Sequence, residues 1–251
     1  MSLGERGQTL NTKHSVLPVV LCAAVLLAGC GYGPGVGALR SASQSVELDD
    51  AESVRAEILF GAGNLQVAGG TEKLLEADFA YNVAELKPEV RYSDGTLVVR
   101  QPEVRGLPDL RGISNFRNEW DLRLYDDVPM ELTVDMGSGA FDLQLAGLSL
   151  TRLEVNLGAC EGTIDLRGDW ERDLDIRIDV GAGDIRVLLP SDVGVRVEVN
   201  AGPTAIQTSG LTKEGSGYTN AAYGVSEVTL QVDLSAGIGR INLVVEEAAD
   251  S

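Results

Sequence analysis

The sequence predicts an all-β protein built as a β-solenoid, a β-helix-like stack of short strands turned at glycine-rich corners. Three observations predict it. Alternating apolar runs end on a glycine, pass through small residues and resume: VDMGSGAFDLQL at Val134–Leu145, LEVNLGACEGTIDL at Leu153–Leu166 and IRIDVGAGDIRVLL at Ile176–Leu189. The glycines closing the first runs are Gly137, Gly158 and Gly181, with Asn200 read as the matching place of a worn copy at Val195–Thr208. Their spacings of 21, 23 and 19 residues are short for a propeller blade and suit one solenoid coil. Finally, the 251-residue chain is 44% hydrophobic with only 5% aromatics, so its core must be mainly aliphatic. A two-sheet β-sandwich is the alternative that the same alternation allows.

Residues 1–29 read as a targeting segment. Arg6 and Lys13 supply a basic start, and Val16–Leu27 (VLPVVLCAAVLL) a short apolar stretch. It falls short of the roughly 20 apolar residues of a spanning helix. Leu27-Ala28-Gly29-Cys30 resembles the lipobox of bacterial lipoprotein signal peptides. That resemblance implies cleavage before Cys30, a diacylglyceryl group on its thiol, and an extracytoplasmic, membrane-anchored location. An ordinary secretory signal with an incidental cysteine is the simpler alternative. Cleavage there removes the only histidine, His14, together with Cys22, and leaves Cys160 as the one free thiol. It also removes one acid and two bases, shifting the formal charge from −18 to −19.

Residues 30–45 are expected to form a flexible tether, with GYGPGVG at Gly31–Gly37. The β domain is expected over residues 46–246. Ile58–Val67 (ILFGAGNLQV) carries an early copy of the corner at Gly61 and Gly63. Residues 71–130 are less regular. Leu74–Tyr81 fits either a helical turn or a strand. Ser93-Asp94-Gly95 predicts a hairpin between Glu89–Tyr92 and Thr96–Arg100. Gln101–Asn118, rich in proline and glycine, reads as a long excursion, and Glu119–Leu124 as a strand with alternating Trp120, Leu122 and Leu124. Residues 131–211 hold the regular repeats. Residues 212–246 comprise a polar excursion and terminal strands around Gly237, either a final coil or an antiparallel cap. Residues 247–251 are expected to fray.

Glycine suits these corners for two reasons. A chain changing walls needs backbone angles that Cβ forbids, and neighbouring coils repeat the corner about 4.8 Å away, where side chains would collide. Gly61, Gly63, Gly137, Gly139, Gly158, Gly181, Gly183, Gly202 and Gly237 are therefore assigned as structural turn residues. A phosphate cradle is rejected because these glycines lead into strands, and no Lys-Ser/Thr follows.

The net charge of −18 argues against a nucleic-acid partner, where phosphates must be neutralised. Loss of His14 removes triad and histidine–zinc chemistry. No catalytic residue, metal site or cofactor is assigned. Acids remain for a glycan-cleaving alternative, with Asp126, Asp127 and Asp179 as candidates. Stacked parallel coils would bring Asp135, Asn156, Asp179 and Glu198 into one outward column beside Thr133, Glu154, Arg177 and Arg196. That column reads as a calcium ladder or glycan-binding face, or more simply as a solvated face balanced by its arginines. Trp120, Trp170, Tyr218 and Tyr223 are candidate glycan-stacking aromatics. Trp120 suits the core better, while Trp170, in the polar turn RGDWERD, is the most exposed by context and reads as a plug or a contact residue. Cys160 reads as a small turn residue.

Phe79-Ala80-Tyr81-Asn82, Asn118-Glu119-Trp120-Asp121-Leu122-Arg123-Leu124, Asp127-Val128-Pro129 and the glycine corners together resemble the toast-rack family of bacterial envelope proteins. That family is related to adhesin-like repeats and to the extracytoplasmic domains of LiaF-type stress regulators. The resemblance covers most of residues 46–246 and implies an all-β, solenoid-like fold with a role in envelope sensing or adhesion. It implies no catalytic residues. The expected function is a non-enzymatic, lipid-anchored envelope protein offering a binding or scaffold surface, with an adhesin-like role as the alternative. Its partners would be the membrane, through Cys30, and an envelope protein or glycan.

Overall fold

The computed structural model describes residues 36–103 and 115–246. The targeting segment, Cys30, Gly31–Gly35 of the tether, the middle of the first excursion (104–114) and the tail 247–251 lie outside the described residues. The strands, in chain order, are β1 (Arg40–Val46), β2 (Val54–Thr71), β3 (Leu75–Tyr81), β4 (Glu89–Ser93), β5 (Thr96–Arg100), β6 (Asn118–Tyr125) and β7 (Met130–Gln144). There follow β8 (Leu150–Asp165), β9 (Leu174–Pro190), β10 (Gly194–Ala201), β11 (Thr204–Ser209), β12 (Thr212–Glu214), β13 (Gly217–Thr219) and β14 (Thr229–Glu246). All belong to one open sheet, folded lengthwise into two walls.

The solenoid reading holds, and the sandwich alternative does not. Each main coil is one continuous bent strand, where the sequence suggested two short strands joined by a turn. β2, β7, β8, β9 and β14 pair in parallel from the first wall through the corner into the second. At either end of this run lies a coil split at its corner. β5 pairs with the first wall of β2 and β6 with its second wall, so these two strands form one coil opened by the excursion between them. β10 and β11 form the other split coil, both parallel to β14.

Spatial order departs from chain order here. β14 is neither a final coil nor an antiparallel cap; it lies between β9 and β10/β11. The cap is the short antiparallel pair β12–β13, which covers only β10. β1 is a second difference: it begins at Arg40, inside the expected tether, because Ala42, Gln44 and Val46 alternate inward against β3. β3 resolves the ambiguous Leu74–Tyr81 run as a strand between β1 and β6. The hairpin of β4 and β5 turns through Asp94 (φ 51°) and Gly95 (φ 72°), the two positive values of a type I′ turn.

The core fills the angle between the walls. Leu132, Val134 and Met136, with their counterparts Leu153, Val155, Leu157 and Ile176, Ile178, Val180, are buried on the first wall. Phe141, Leu143 and Leu145, then Ile164 and Leu166, then Ile185, Val187 and Leu189, are buried on the second. The third side is closed by one apolar residue in each return turn: Val128, Leu148, Trp170 and Val193. Trp170 is therefore a plug; only 8% exposed, it donates its indole N–H to the Leu166 carbonyl at 2.8 Å.

Candidate functional site

The two glycines of each corner serve different physical ends. Gly63, Gly139, Gly183 and Gly239 hold φ of 132°, 122°, 140° and 143°, a backbone region that side chains strain. Gly137, Gly158, Gly181, Gly237 and Gly202 lack such angles and are required by proximity. A Cβ on Gly137 would sit 2.4 Å from the Gly61 carbonyl oxygen, one on Gly158 2.3 Å from that of Gly137, and one on Gly237 2.3 Å from that of Gly181. Gly202 faces Gly237 in the same way at 2.8 Å.

This second column corrects the register of the worn copy. Its corner glycine is Gly202, not Asn200, so everything before it moves by two places. The outward column beside the corner runs Asp135, Asn156, Asp179, Ser235, Asn200. Glu198 falls instead beside Asp233 and Arg177 in the next column. Arg196 belongs one column further out, beside Gln231.

Glycine column and polar column together form an open groove of about 910 Å3 along the outside of the bend. Its floor is bare backbone from Gly61 through Gly137, Gly158, Gly181 and Gly237 to Gly202. Six coils at about 4.8 Å give it a length of roughly 24 Å. Its side is a ladder of short polar groups. Asn156 donates from Nδ2 to Asp135 Oδ1 at 2.6 Å. Arg177 donates from Nε to Asp179 Oδ2 at 2.8 Å, and this hydrogen bond, assisted by Ser235, holds the Asp179 carboxyl below its ordinary value. Asp179 is thus anionic at neutral pH.

One end of the groove is built by residues whose part was not foreseen from the sequence. Among the described residues between β5 and β6 no strand accompanies the corner of β2, and two side chains bond to it there. Gly61 donates its N–H to Gln101 Oε1 at 3.1 Å. Asn118 Nδ2 donates to both the Ala62 carbonyl and Gln101 Oε1 at 2.8 Å, while its Oδ1 accepts the Trp120 indole N–H at 3.1 Å. Trp120 is buried edge-on against Phe60 and Phe79, with centroids 4.8 and 5.3 Å away. The Phe79–Asn82 and Asn118–Leu124 motifs are therefore structural: they terminate the corner and pack behind it. Gln101 and Glu103 close that end of the groove.

The other candidate residues are placed elsewhere. Asp126 accepts the Gly70 N–H at 2.9 Å at the far edge of the second wall, away from Asp179 on the first. Tyr223 lies beneath the Arg196 guanidinium, 5.7 Å from its centroid, and Tyr218 is half-buried on β13. Cys160 occupies the place of Gly139 and Gly183, but it is a core residue, 3% exposed, rather than a mere turn filler. Burial raises its thiol pKa. Among the described residues no group of three or more His, Cys, Asp or Glu could hold a metal ion, and no helix is long and apolar enough to cross a membrane.

Stacked parallel coils with glycine corners and an outward groove define an all-β repeat protein of the β-solenoid kind. The chain belongs to the toast-rack family: residues 36–188 match the family described as "N-terminal domain of toast_rack, DUF2154". Among solved structures it is similar to a "putative cell adhesion protein" from Clostridium sporogenes ATCC 15579. The two are 31% identical over 83% of this chain and all of the other, with a TM-score of 0.80. A "putative adhesin" from Bacteroides fragilis NCTC 9343 is 11% identical over 85% of this chain and all of its own, at a TM-score of only 0.32. No functionally curated protein matches significantly.

Proposed function

We propose that this chain is a lipid-anchored, non-enzymatic envelope protein that holds an extended surface glycan along the glycine-floored groove. The groove itself carries the reading: an open trench spanning six coils, with an amide, hydroxyl or carboxylate group on five of them and Leu59 on the sixth. Bare glycine floors admit a flat sugar face closely, and repeated polar groups suit a repeating polymer. The similarity to the "putative cell adhesion protein" of Clostridium sporogenes supports a surface-binding role. The Leu27–Cys30 lipobox supports anchoring. A non-enzymatic role is supported by the acids themselves. Asp126 is committed to a backbone N–H, and Asp179, on another wall, is held anionic, whereas a general acid needs a raised pKa. The charge of −18 favours a neutral glycan over polyanions.

The test is co-sedimentation with purified cell-wall polysaccharide. Ser235→Trp and Asn156→Trp, which place an indole over the groove, are expected to reduce binding at least tenfold. Folded variants that bind as well as the parent would refute the groove reading. Incorporation of labelled lipid by the parent but not by Cys30→Ser tests the anchor separately.

A further inference from the structure

We propose that the groove selects a neutral glycan carrying N-acetyl groups, one acetyl methyl seating on Ile238 and Pro203 at the end remote from Gln101. The inference rests on the groove being the binding site and adds what it selects. It starts from the bank that faces the polar ladder. The residue after each floor glycine is Ala62, Ser138, Ala159, Ala182 and Ile238 in coils β2, β7, β8, β9 and β14, and these five lie in register. Pro203, after Gly202, continues the row beside Ile238 between the ends of β10 and β11. One bank is thus mainly polar, and the other is an apolar ridge interrupted only by the Ser138 hydroxyl.

Ile238 stands out on that ridge. It is 63% exposed, and Pro203 beside it is exposed as well. Among the described residues the other exposed large hydrophobics are Leu39 and Val225, and both lie outside the strands. The corner itself does not require a large side chain here, since alanine serves the same position in β2, β8 and β9. Ile238 and Pro203 therefore present a small apolar step at one place on an otherwise low bank, and covering it with an apolar group is favourable.

The chemistry opposite the step defines what fits. At the same two coils the polar bank offers Ser235 and Asn200. Ser235 gives its hydroxyl hydrogen to Asp179, which leaves its oxygen to accept, while the exposed Asn200 amide can both donate and accept. A sugar laid over Gly237 and Gly202 thus finds polar partners along one edge only. On the other edge a hydroxyl would shed water against Ile238 and Pro203 without gaining a partner, at a cost. A methyl buried there gains about fourfold in affinity. An acetamido group carries such a methyl three bonds from the ring, where it clears the glycine floor, whereas the methyl of a deoxy sugar is bonded directly to the ring. It also adds no charge, while a carboxylated sugar would be repelled by the anionic Asp179.

Isothermal titration of the purified full chain with β-1,4-linked hexamers of N-acetylglucosamine, glucose and glucosamine tests this. The N-acetylated hexamer is expected to bind at least fourfold more tightly than the glucose hexamer. Ile238→Ala, which installs the residue of the neighbouring coils, should reduce that ratio to below about twofold, and Ile238→Val should retain it. Equal affinity of the parent for the two hexamers overturns the proposal, as does a preference that survives Ile238→Ala. Tightest binding of the glucosamine hexamer also overturns it, since the acids and not the ridge would then govern selection. Asn156→Trp separates this inference from the groove reading. If it abolishes binding of hexamers that the parent does not distinguish, only the N-acetyl selection fails; if the parent binds none of the three, or Asn156→Trp binds them as the parent does, the groove reading fails with it.

Discussion

Gly158→Ala is the smallest change that tests the corner. The added methyl would lie 2.3 Å from the Gly137 carbonyl oxygen, whereas real Cβ contacts essentially never fall below 3.0 Å. The two coils must therefore part by at least about 0.7 Å at this point. Neither partner is a flexible side-chain end; both are backbone, held by the parallel ladders to β7 and β9. Parting them weakens ladder bonds worth about 1 kcal/mol each and loosens Met136 and Leu157 beneath the corner. A cost of about 2–4 kcal/mol follows, which for a domain of this size lowers Tm by roughly 5–10 °C.

Gly61→Ala is the internal control. The atoms nearest its methyl would all belong to the Gln101 side chain, the first at 2.6 Å, and that amide swings aside with the loss of its hydrogen bonds to the corner, about 1 kcal/mol. Urea unfolding followed by circular dichroism measures both variants. The close-approach argument fails if Gly158→Ala stays within about 0.5 kcal/mol of the parent, or if Gly61→Ala costs as much.

Cys160 should resist a thiol reagent in the folded protein and react at once in denaturant, because burial both shields it and raises its pKa; rapid native labelling would contradict this. Burial, reinforced by the hydrogen bond it donates to Asp49, pushes the Tyr92 hydroxyl up to about 12. Its contribution to stability is therefore complete below pH 10 and lost as pH rises from about 10 to 12. Tyr92→Phe should remove that decline, and difference absorbance of the phenolate should place the titration near pH 12. Truncation before Thr229 should leave residues 194–228 protease-sensitive, since β10 and β11 reach the rest of the sheet through β14 alone; full protection would contradict the strand order.

The walls were legible because side-chain alternation with period two states which residues face inward, whatever the neighbours are. The same rule placed Trp120 in the core. Trp170 was ambiguous because its turn is polar on both sides, and only the third face of the stack, closed by one residue per turn, shows why an indole sits there. The groove's polar column was legible in part. Asp135, Asn156 and Asp179 follow from equal coil geometry, but Glu198 was misplaced by aligning the worn copy on Asn200 instead of Gly202. Ser235 was missed because its coil was not known to be interior. Gln101 and Asn118 carry no periodic signal at all: each acts by bonding its side-chain amide to the β2 corner, which only the assembled corner reveals.

The order of the last two coils was nonetheless written in their corners. Each coil passes to the next through a return turn across the third side, so no hairpin turn dictates which coil lies beside which. An interior coil must accept a neighbour on both sides, and β2, β7 and β9 do so with the pair Gly61 and Gly63, Gly137 and Gly139, or Gly181 and Gly183. β14 repeats that pair as Gly237 and Gly239. The worn copy has Gly202 followed by Pro203 and Thr204. Gly202 gives its N–H to the Ala236 carbonyl of β14 at 2.8 Å, so the next N–H along the strand would point away from β14, toward a further coil. Proline has none to give, and within sheets it is confined to edges for that reason. Pro203 therefore marks β10/β11 as the terminal coil, and the glycine pair marks β14 as one that lies inside.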